Sequence, residues 1–513
     1  MNKPTRSVVV VGGGTAGWIT AGRIAARHSH NGANSVQVTL IESPDAPTVG
    51  VGEGTWPTMR STLLELGISE TEFLCECNAT FKQGAKFAKW KDGTTNDFYY
   101  HPLTLPQGFS KGNAVPYWHA TKNASGHSFS SALCFQEALC ESNLAPKTIR
   151  TPEFQSIANY AYHLDAVSFT RLLQKHCTEK LNVTHIRDHV VGIQSHADGD
   201  IELLNTKKSG VITGDLFIDC TGFAALLLGE HLDVPFIDCS DVLFVDTALA
   251  IQVDYEQDQP IASHTIATAQ TAGWIWDIGL QHRRGIGHVF SSRHLRQDEA
   301  EQQLRDYIGP QARDADIRRI PIRSGYRREF WKNNCVAVGL AAGFLEPLEA
   351  SSLVLVELSA AMIAEQLPAC RDVMSIISKR FNQTFSYRWE RIIDFLKLHY
   401  CITQRTDSAF WVDNCDPATI PESLQELLAL WRYQAPSDQD FTSNNEVFPA
   451  ASYQYVLYGM GFESSLVRAT DHDLRFGAEQ FARNKKMVAQ VVASLPTNRE
   501  LLQKIQEFGL QKV

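Results

Sequence analysis

The sequence predicts an α/β fold that begins with a parallel sheet, and three observations near the N-terminus support this. A continuous apolar run, Val8–Val11, is typical of a buried strand. The glycine-rich segment Gly12–Gly17 follows at once and opens a helix that we expect to end near His28. A second apolar strand, Val36–Ile41, ends at the acidic Glu42. This order of strand, glycine turn, helix and strand is typical of a βαβ unit that binds a dinucleotide.

The spacing of the glycines favours a bound dinucleotide over a turn that holds no ligand. Gly12 would form the tight turn, Gly14 would leave room for a pyrophosphate, and Gly17 would allow close packing of helix on sheet. Glu42 is placed to accept a hydrogen bond from a ribose hydroxyl. NAD and FAD share this pattern, but no second GxGxxG follows a strand elsewhere in the chain. FAD as the single dinucleotide, with its electrons supplied from elsewhere, is therefore the favoured interpretation.

Length, charge and cysteine pattern exclude several classes of protein. The chain has 513 residues and a formal net charge of −10, and nucleic acid is an unfavourable partner because phosphate binding needs a basic surface. Charged residues interrupt the most apolar run, residues 336–367, so we expect no membrane-spanning helix. Residues 1–7 lead directly into the first strand and leave no room for a signal peptide. The 11 cysteines form no CxxC pair, which favours a cytoplasmic protein with reduced thiols. The sequence leaves open whether the chain forms a homodimer.

The segment Gly339–Ser352 combines features that suit a planar cofactor, a carboxylate and a small anion. Its glycine and alanine residues would let a ligand approach the backbone closely. We expect a helix to begin around Ser351, where free N–H groups and the positive end of the helix dipole favour an anion. Glu349 precedes this helix, where a carboxylate is equally consistent with ordinary capping.

Other polar and aromatic residues are candidates for the site, although each has a simpler structural explanation. Lys82 lies among aromatic residues, where a lysine ordinarily extends its ammonium to solvent, and the other lysines of Phe81–Trp90 fit equally well on composition alone. Trp274, Trp276 and His101 are candidates for the substrate side. The two tryptophans would share one face of a strand, which is most often due to core packing, and a lone histidine is more often structural.

Ordered sequence blocks along most of the chain resemble the flavin-dependent tryptophan halogenases. They include the glycine turn, the lysine segment, the paired tryptophans and the Gly339–Ser352 segment. In chain order the blocks are VVGGGTAGW (Val10–Trp18), GVGEGTWP (Gly50–Pro57), FKQGAKFAKW (Phe81–Trp90), HLDAVSF (His163–Phe169), FIDCTGF (Phe217–Phe223), GWIWDI (Gly273–Ile278) and GLAAGFLEPLEASS (Gly339–Ser352).

The resemblance implies a mechanism of halogenation. Reduced FAD, delivered by a separate flavin reductase, reacts with oxygen and a chloride or bromide ion to give hypohalous acid. The acid passes through an internal tunnel to a lysine, which positions it by hydrogen bonding or captures it as a haloamine. An electron-rich aromatic substrate, such as tryptophan or indole, then takes the halogen, and a carboxylate polarises the halogen donor or removes the ring proton.

The resemblance also implies roles for residues of this chain. Lys82 and Glu349 match the catalytic lysine and glutamate of the family. The remaining positions are Ser351 and Ser352 for the halide, Trp274 and Trp276 for keeping the flavin chemistry away from the substrate, and Gly12, Gly14, Thr15, Ala16, Gly17, Val191, Leu340 and Leu353 for contacts with the flavin.

The implied fold is an FAD-binding Rossmann-like module of the glutathione-reductase type over residues 1–352. It carries an inserted sheet and substrate-side insertions at about residues 80–160. A mostly helical C-terminal substrate module follows over residues 353–513. From the sequence pattern alone we expect loops and short strands in residues 96–160, and further strands of the parallel sheet at Leu216–Cys220 and Cys335–Val338.

Two positions depart from the family pattern. Gly279 stands where the family has proline, and Ala350–Ser352 replaces the Ser-Thr-Gly that is usual in the tryptophan enzymes. The departures widen the expected substrate from free tryptophan to indoles and related aromatics. Two alternatives are an FAD-dependent aromatic monooxygenase, in which Lys82 would be dispensable, and a non-catalytic flavin-binding protein. The presence of both Lys82 and Glu349 favours the halogenase.

Overall fold

A computed structural model describes residues 4–29, 32, 35–45, 52–256, 258–312, 315–443, 446–466 and 468–512. The first two residues of the Gly50–Pro57 block lie outside this range. The chain divides into two compact units of alternating segments. Unit 1 comprises Met1–Asn78, Leu164–Cys239 and Arg323–Trp389, and unit 2 comprises Ala79–His163, Ser240–Ile322 and Glu390–Val513.

The strands of the described residues are β1 (Ser7–Val11), β2 (Gln37–Glu42), β3 (Gly52–Gly54), β4 (Thr80–Lys82), β5 (Gly84–Ala88), β6 (Phe98–Pro102), β7 (Ala161–Asp165), β8 (Thr184–Arg187), β9 (Val190–Ser195), β10 (Ile201–Thr206), β11 (Val211–Thr213), β12 (Leu216–Asp219), β13 (Phe236–Asp238), β14 (Thr247–Asp254), β15 (Thr265–Gln270), β16 (Gly273–Gly279), β17 (Arg283–Phe290), β18 (Arg318–Pro321), β19 (Gly325–Arg327), β20 (Trp331–Lys332), β21 (Cys335–Ala337) and β22 (Gly343–Phe344). The α-helices are α1 (Thr15–His28), α2 (Thr58–Leu66), α3 (Glu70–Glu76), α4 (Val115–Ser125), α5 (Phe129–Leu133), α6 (Gln136–Glu141), α7 (Ala166–Glu179), α8 (Gln297–Ile308), α9 (Ser351–Glu365), α10 (Arg371–Cys401), α11 (Ala409–Asn414), α12 (Glu422–Trp431), α13 (Ala450–Gly459), α14 (Asp471–Ser494) and α15 (Asn498–Phe508).

Unit 1 is built around a six-stranded sheet in the order β20-β21-β12-β1-β2-β8. All neighbouring pairs are parallel except β20 with β21. The central strand β1 is apolar on both faces and Val8–Val11 is buried, as in a parallel sheet covered on both sides. Helix α1 packs against α7 and α9. The predicted α/β class is confirmed. Because β1, β12 and β21 run parallel, their carboxyl ends lie together on the same side of the sheet.

Unit 2 contains a seven-stranded sheet in the order β18-β14-β17-β16-β15-β5-β6. Its pairs are antiparallel except β15 with β5, which are parallel. Strand β16, with the sequence GWIWDIG, is buried along its whole length near the middle of this sheet. This is the inserted sheet of the predicted fold class.

The expectation of loops and short strands in residues 96–160 was wrong for its middle part. Helices α4, α5 and α6 lie there, between Val115 and Glu141. Helix α4 has a proline in its first turn and ends at Gly126, which has a φ of +68°, so its two ends carry ordinary helix signals. The helices are short and mix aromatic with polar residues, so their apolar periodicity is too weak to indicate a helix.

The predicted module boundary at residues 352 and 353 follows the change from strands to helices. Contacts within the chain place residues 353–389 in unit 1, because α9 packs against α1 there. Within the described part of the chain, no helix has the length and apolar character needed to cross a membrane.

Candidate active site

The glycine turn after β1 has the geometry of a dinucleotide-binding turn. Gly12 has a φ of +119°, and a Cβ atom there would lie 2.1 Å from the carbonyl oxygen of Cys220. A Cβ at Gly17 would lie 1.9 Å from the carbonyl oxygen of Gly12, so this position permits no side chain. A Cβ at Gly14 would have no atom within 4 Å. The two outer glycines therefore serve packing, whereas Gly14 faces open space at the start of α1, where a pyrophosphate would fit.

Glu42 lies against this turn. A Cβ at Gly13 would lie 2.4 Å from the Cδ atom of Glu42, so the carboxylate is next to the glycines. Its Oε2 atom is 2.8 Å from Nε2 of His185, and that ring packs edge-on against Trp18 with a centroid distance of 5.0 Å. The carboxylate is thus held beside the turn, as acceptance of a hydrogen bond from a ribose hydroxyl requires.

The loop after β21 contacts the first turn of α1. Gly339 has a φ of +70°, and a Cβ there would lie 2.8 Å from the Cβ of Ala16. A 3-10 turn at Gly339–Ala341 carries the half-buried Leu340. Leu353 is buried in the first turn of α9. The structure therefore brings the glycine turn and the Gly339 segment together, although the sequence separates them by more than three hundred residues.

The start of α9 contains a buried hydroxyl group that lacks a protein partner. Ala350 has a left-handed backbone with a φ of 54°, and the helix begins at Ser351. Ser351 is 0% exposed, and its Oγ atom has no hydrogen-bond partner among the described residues. Such a buried group costs about 1–3 kcal/mol if it stays unpaired. The half-buried Ser352 follows it, so a small anion fits this helix N-terminus.

Glu349 is buried in the 3-10 turn that precedes α9. Its backbone carbonyl accepts a hydrogen bond of 2.8 Å from Nε1 of Trp56. This bond fixes the backbone next to the candidate halide position.

A buried carboxylate on α9, Glu357, was missed by the sequence analysis. It accepts hydrogen bonds from the hydroxyl groups of Thr58, at 3.1 Å, and Thr62, which tie α2 to α9. Burial raises the pKa of Glu357 to about 7, and the two threonine hydrogen bonds oppose this effect. The available signal was a glutamate inside a mostly apolar helix.

We expect Glu357→Gln to stabilise the protein above neutral pH. Because the folded chain holds the Glu357 proton more tightly than the unfolded chain, the wild-type free energy of unfolding should be highest below pH 4.5 and fall as the pH rises through about 7. The neutral amide removes this loss, which is on the order of 3 kcal/mol because the pKa rises from 4.5 to about 7. Urea unfolding of both proteins from pH 5 to 8 measures it, with the exposed Glu365→Gln as the control. Parallel pH curves for wild type and Glu357→Gln would contradict the assignment.

In unit 2, burial distinguishes Lys82 from the neighbouring lysines. Lys82 ends β4 and is only 4% exposed, so the expectation of an ammonium extended to solvent was wrong. Lys86 is partly exposed and donates a hydrogen bond of 2.6 Å to Glu141, and Lys89 is exposed. Lys82 lies opposite Ala161 in the pairing of β4 with β7, a placement that composition does not reveal.

The predicted substrate-side residues of unit 2 are all buried. Trp274 and Trp276 lie on one face of β16 with their ring centroids 6.4 Å apart, as the strand period predicts. Gly287 on β17 makes room for Trp276, since a Cβ there would lie 2.1 Å from the indole. His101 on β6 contacts Oγ of Ser452 on α13 through Nε2, at 2.8 Å.

Val191 lies on β9, in a separate three-stranded sheet of unit 1, and is 63% exposed. In the chain, Val191 comes shortly after β8. Strand β8 pairs with β2, which ends at Glu42. Its place among the flavin contacts stays a prediction.

Gly279, the first departure from the family pattern, has a local structural explanation. Its carbonyl accepts a hydrogen bond of 2.6 Å from the hydroxyl of Thr80 on β4. A Cβ at this position would lie 2.6 Å from Oη of Tyr255 and 3.3 Å from Cγ2 of Ile261. The space that a proline ring would need is therefore filled by Tyr255.

We expect Gly279→Ala to lower the free energy of unfolding by about 1–3 kcal/mol, the usual cost of overpacking. Adding Tyr255→Phe removes the clashing hydroxyl and should restore most of the loss. Urea unfolding of the two single variants and the double variant measures this coupling. Strictly additive effects would show that Tyr255 does not fill the space.

The glycine turn and the carboxylate at the end of β2 are the features expected of a dinucleotide-binding α/β module, and the start of α9 has those expected of a small-anion site. The chain belongs to the tryptophan halogenase family, because the model of that family matches residues 7–472. Its relatives include tryptophan halogenases and a flavin-dependent halogenase, which confirms the enzyme class and the resemblance found in the sequence.

Three relatives illustrate the match. Tryptophan 6-halogenase SttH from Streptomyces toxytricini is 33% identical over 88% of this chain and 89% of its own length. The structure of a tryptophan halogenase from Shewanella frigidimarina is 49% identical, with a TM-score of 0.96 over 100% of this chain and 99% of the other. BrvH, a flavin-dependent halogenase from Brevundimonas, is 32% identical, with a TM-score of 0.86 over 98% and 99% of the two chains.

Proposed function

We propose that the protein halogenates an electron-rich aromatic compound, of the class of indole or tryptophan, at Lys82. It would use chloride or bromide, oxygen, and reduced FAD from a separate flavin reductase. The buried Ser351 hydroxyl, which has no hydrogen-bond partner in the described part of the chain, carries the proposal, because a halogenase needs an anion beside its flavin and an aromatic monooxygenase does not. The relatives named for tryptophan support the substrate class.

The residues of unit 1 would hold the cofactor and the halide. The open space at Gly14 would take the pyrophosphate, and Glu42 would accept a hydrogen bond from the ribose. Thr15, Ala16, Val191, Leu340 and Leu353 complete the proposed flavin contacts. Ser351 and Ser352 would donate hydrogen bonds to the halide. When bound and reduced, FAD supplies the chemistry that converts oxygen and halide into hypohalous acid.

The residues of unit 2 would use that acid. In the proposal it reaches Lys82 through an internal tunnel, and the buried ammonium donates a hydrogen bond that holds and polarises it. Trp274 and Trp276 would separate the flavin chemistry from the aromatic substrate, and His101 would border the substrate pocket. Glu349, a residue of unit 1, would polarise the halogen donor or accept the proton that the ring loses.

The proposal is tested by supplying the protein with flavin reductase, FAD, oxygen, bromide and indole, and in parallel tryptophan. We expect a brominated product by mass spectrometry that depends on bromide. A hydroxylated product formed equally without halide would establish the monooxygenase alternative. Bound FAD with no product from either substrate would indicate a non-catalytic flavoprotein.

We expect Ser351→Ala to raise the KM for bromide about tenfold, the effect of one lost charge-assisted hydrogen bond. The same change removes a buried unpaired hydroxyl, so it should raise the melting temperature in the absence of halide. Ser359→Ala on the same helix is the control, because its hydroxyl donates to the carbonyl of Leu355 at 2.7 Å. An unchanged bromide KM in Ser351→Ala would rule out this residue as a halide ligand.

A further inference from the structure

Unit 2 contains buried polar side chains in the neighbourhood of Lys82. Nδ1 of His163, Nδ1 of His264 and Oγ of Ser263 are buried and have no hydrogen-bond partner among the residues that the structure describes. Of these, His163 is the one that Lys82 and His264 influence electrostatically, so its buried Nδ1 atom is a place for a small polar ligand or ordered water.

His163 lies on the same face of its strand pair as Lys82. In the antiparallel pairing of β4 with β7, Thr80 lies opposite His163 and Lys82 lies opposite Ala161. Residues two apart on a strand point to the same side, so His163 is the diagonal neighbour of Lys82. Ala161, directly opposite Lys82, has a small side chain, and the charge of Lys82 is close enough to act on the imidazole.

The His163 ring is fixed by its other nitrogen. Nε2 contacts Oγ1 of Thr265 at 2.8 Å, and the ring is 0% exposed. Burial, followed by the nearby charges of Lys82 and His264, lowers the pKa of His163 well below its usual range. The imidazole is therefore neutral, and when Nε2 donates to Thr265 its Nδ1 atom is an acceptor.

We propose that His163 is a further catalytic residue, whose Nδ1 atom accepts a hydrogen bond from the O–H group of the hypohalous acid that Lys82 holds. This inference rests on the proposed function. The ammonium of Lys82 donates to the oxygen of the acid, and His163 accepts from its hydroxyl, so the small molecule is held at two points. Two contacts fix the direction of the halogen atom, which one flexible lysine cannot do, and they reduce escape of the acid into solvent.

A matched pair of variants tests the proposal. The amide of His163→Asn can take the place of Nδ1, whereas the longer His163→Gln places its amide near Nε2 and restores only the contact with Thr265. The assay measures bromoindole and, with a diffusible trap, the hypobromous acid that escapes. We expect His163→Gln to lower the ratio of product to trapped acid about tenfold, the effect of one hydrogen bond, and His163→Asn to retain most of it.

Each outcome separates this inference from the proposed function. Equal ratios in the wild type and both variants, or a loss in His163→Asn alone, would overturn the role of Nδ1. A wild type that yields neither product nor trapped acid would overturn the proposed function, and this inference with it. If either variant fails to fold, Thr265→Val replaces it, because the His163 ring then loses the contact that orients it. An unchanged ratio of product to trapped acid in Thr265→Val would also overturn the proposal.

Discussion

Lys82→Ala is expected to abolish bromination of indole while the protein still binds FAD and consumes oxygen. Removing a positioned polar group of this kind commonly lowers a rate by about 10²–10³-fold. Hypobromous acid should still form, so the acid captured by a diffusible trap should rise as bromoindole falls. Product quantified by mass spectrometry, with and without the trap, measures both changes.

Lys86→Ala is the matched control for this prediction. Lys86 is on β5, the next strand along the chain. Its ion pair with Glu141 is partly exposed, so loss of this pair should change the free energy of unfolding by at most about 1 kcal/mol and leave product formation intact. Bromination by Lys82→Ala at the wild-type rate would show that the buried lysine is not the site of halogen transfer.

Gly14→Ala and Gly17→Ala are expected to fail in different ways. Alanine at position 14 meets no protein atom, so the chain should fold, but the methyl group enters the space assigned to the pyrophosphate. We expect FAD affinity to fall at least about tenfold, which corresponds to 1.4 kcal/mol, with little change in the melting temperature. Fluorescence titration with FAD and thermal unfolding of the apoprotein measure the two effects.

For Gly17→Ala we expect the opposite result, in which the protein loses stability rather than FAD affinity alone. The added Cβ would lie 1.9 Å from a backbone oxygen, which cannot move as a side chain can, so helix α1 must shift. We expect a loss of stability of about 3 kcal/mol or more, or no soluble protein. Gly126→Ala is the control for the generic cost of removing a glycine, since a Cβ there meets no atom but its φ of +68° is strained for alanine. A Gly14→Ala protein with normal FAD affinity would argue against a pyrophosphate at that turn.

The parts of the fold and site that could be predicted are those that depend on a short stretch of sequence. The Gly12–Gly17 turn combines a strand, a glycine spacing and a helix within one window, and the start of α9 follows from the change to a long apolar run. For the same reason the shared face of Trp274 and Trp276 required only that their segment be a strand.

What could not be predicted depends on partners that are distant in sequence. The burial of Lys82 is visible only in the folded chain, and the hydrogen bonds to Glu357 come from hydroxyl groups on α2. Nothing in the local sequence of His163 indicates that one ring nitrogen contacts Thr265 while the other has no partner among the residues described. The fit of Gly279 likewise required the position of Tyr255, which no spacing rule supplies.

The alternation of chain segments between the two units has a consequence for how the protein acquires its structure. Each unit consists of three segments, so no single cut in the chain would release either one intact. The strand that carries Lys82 finds β7 only after the intervening helices have been synthesised, and the parallel sheet needs β12 and β21 from later segments. Pairing over such long separations makes folding slow. Ribosome-bound chains that end before Cys335 should therefore expose an unpaired edge of β12, and we expect them to depend on chaperones.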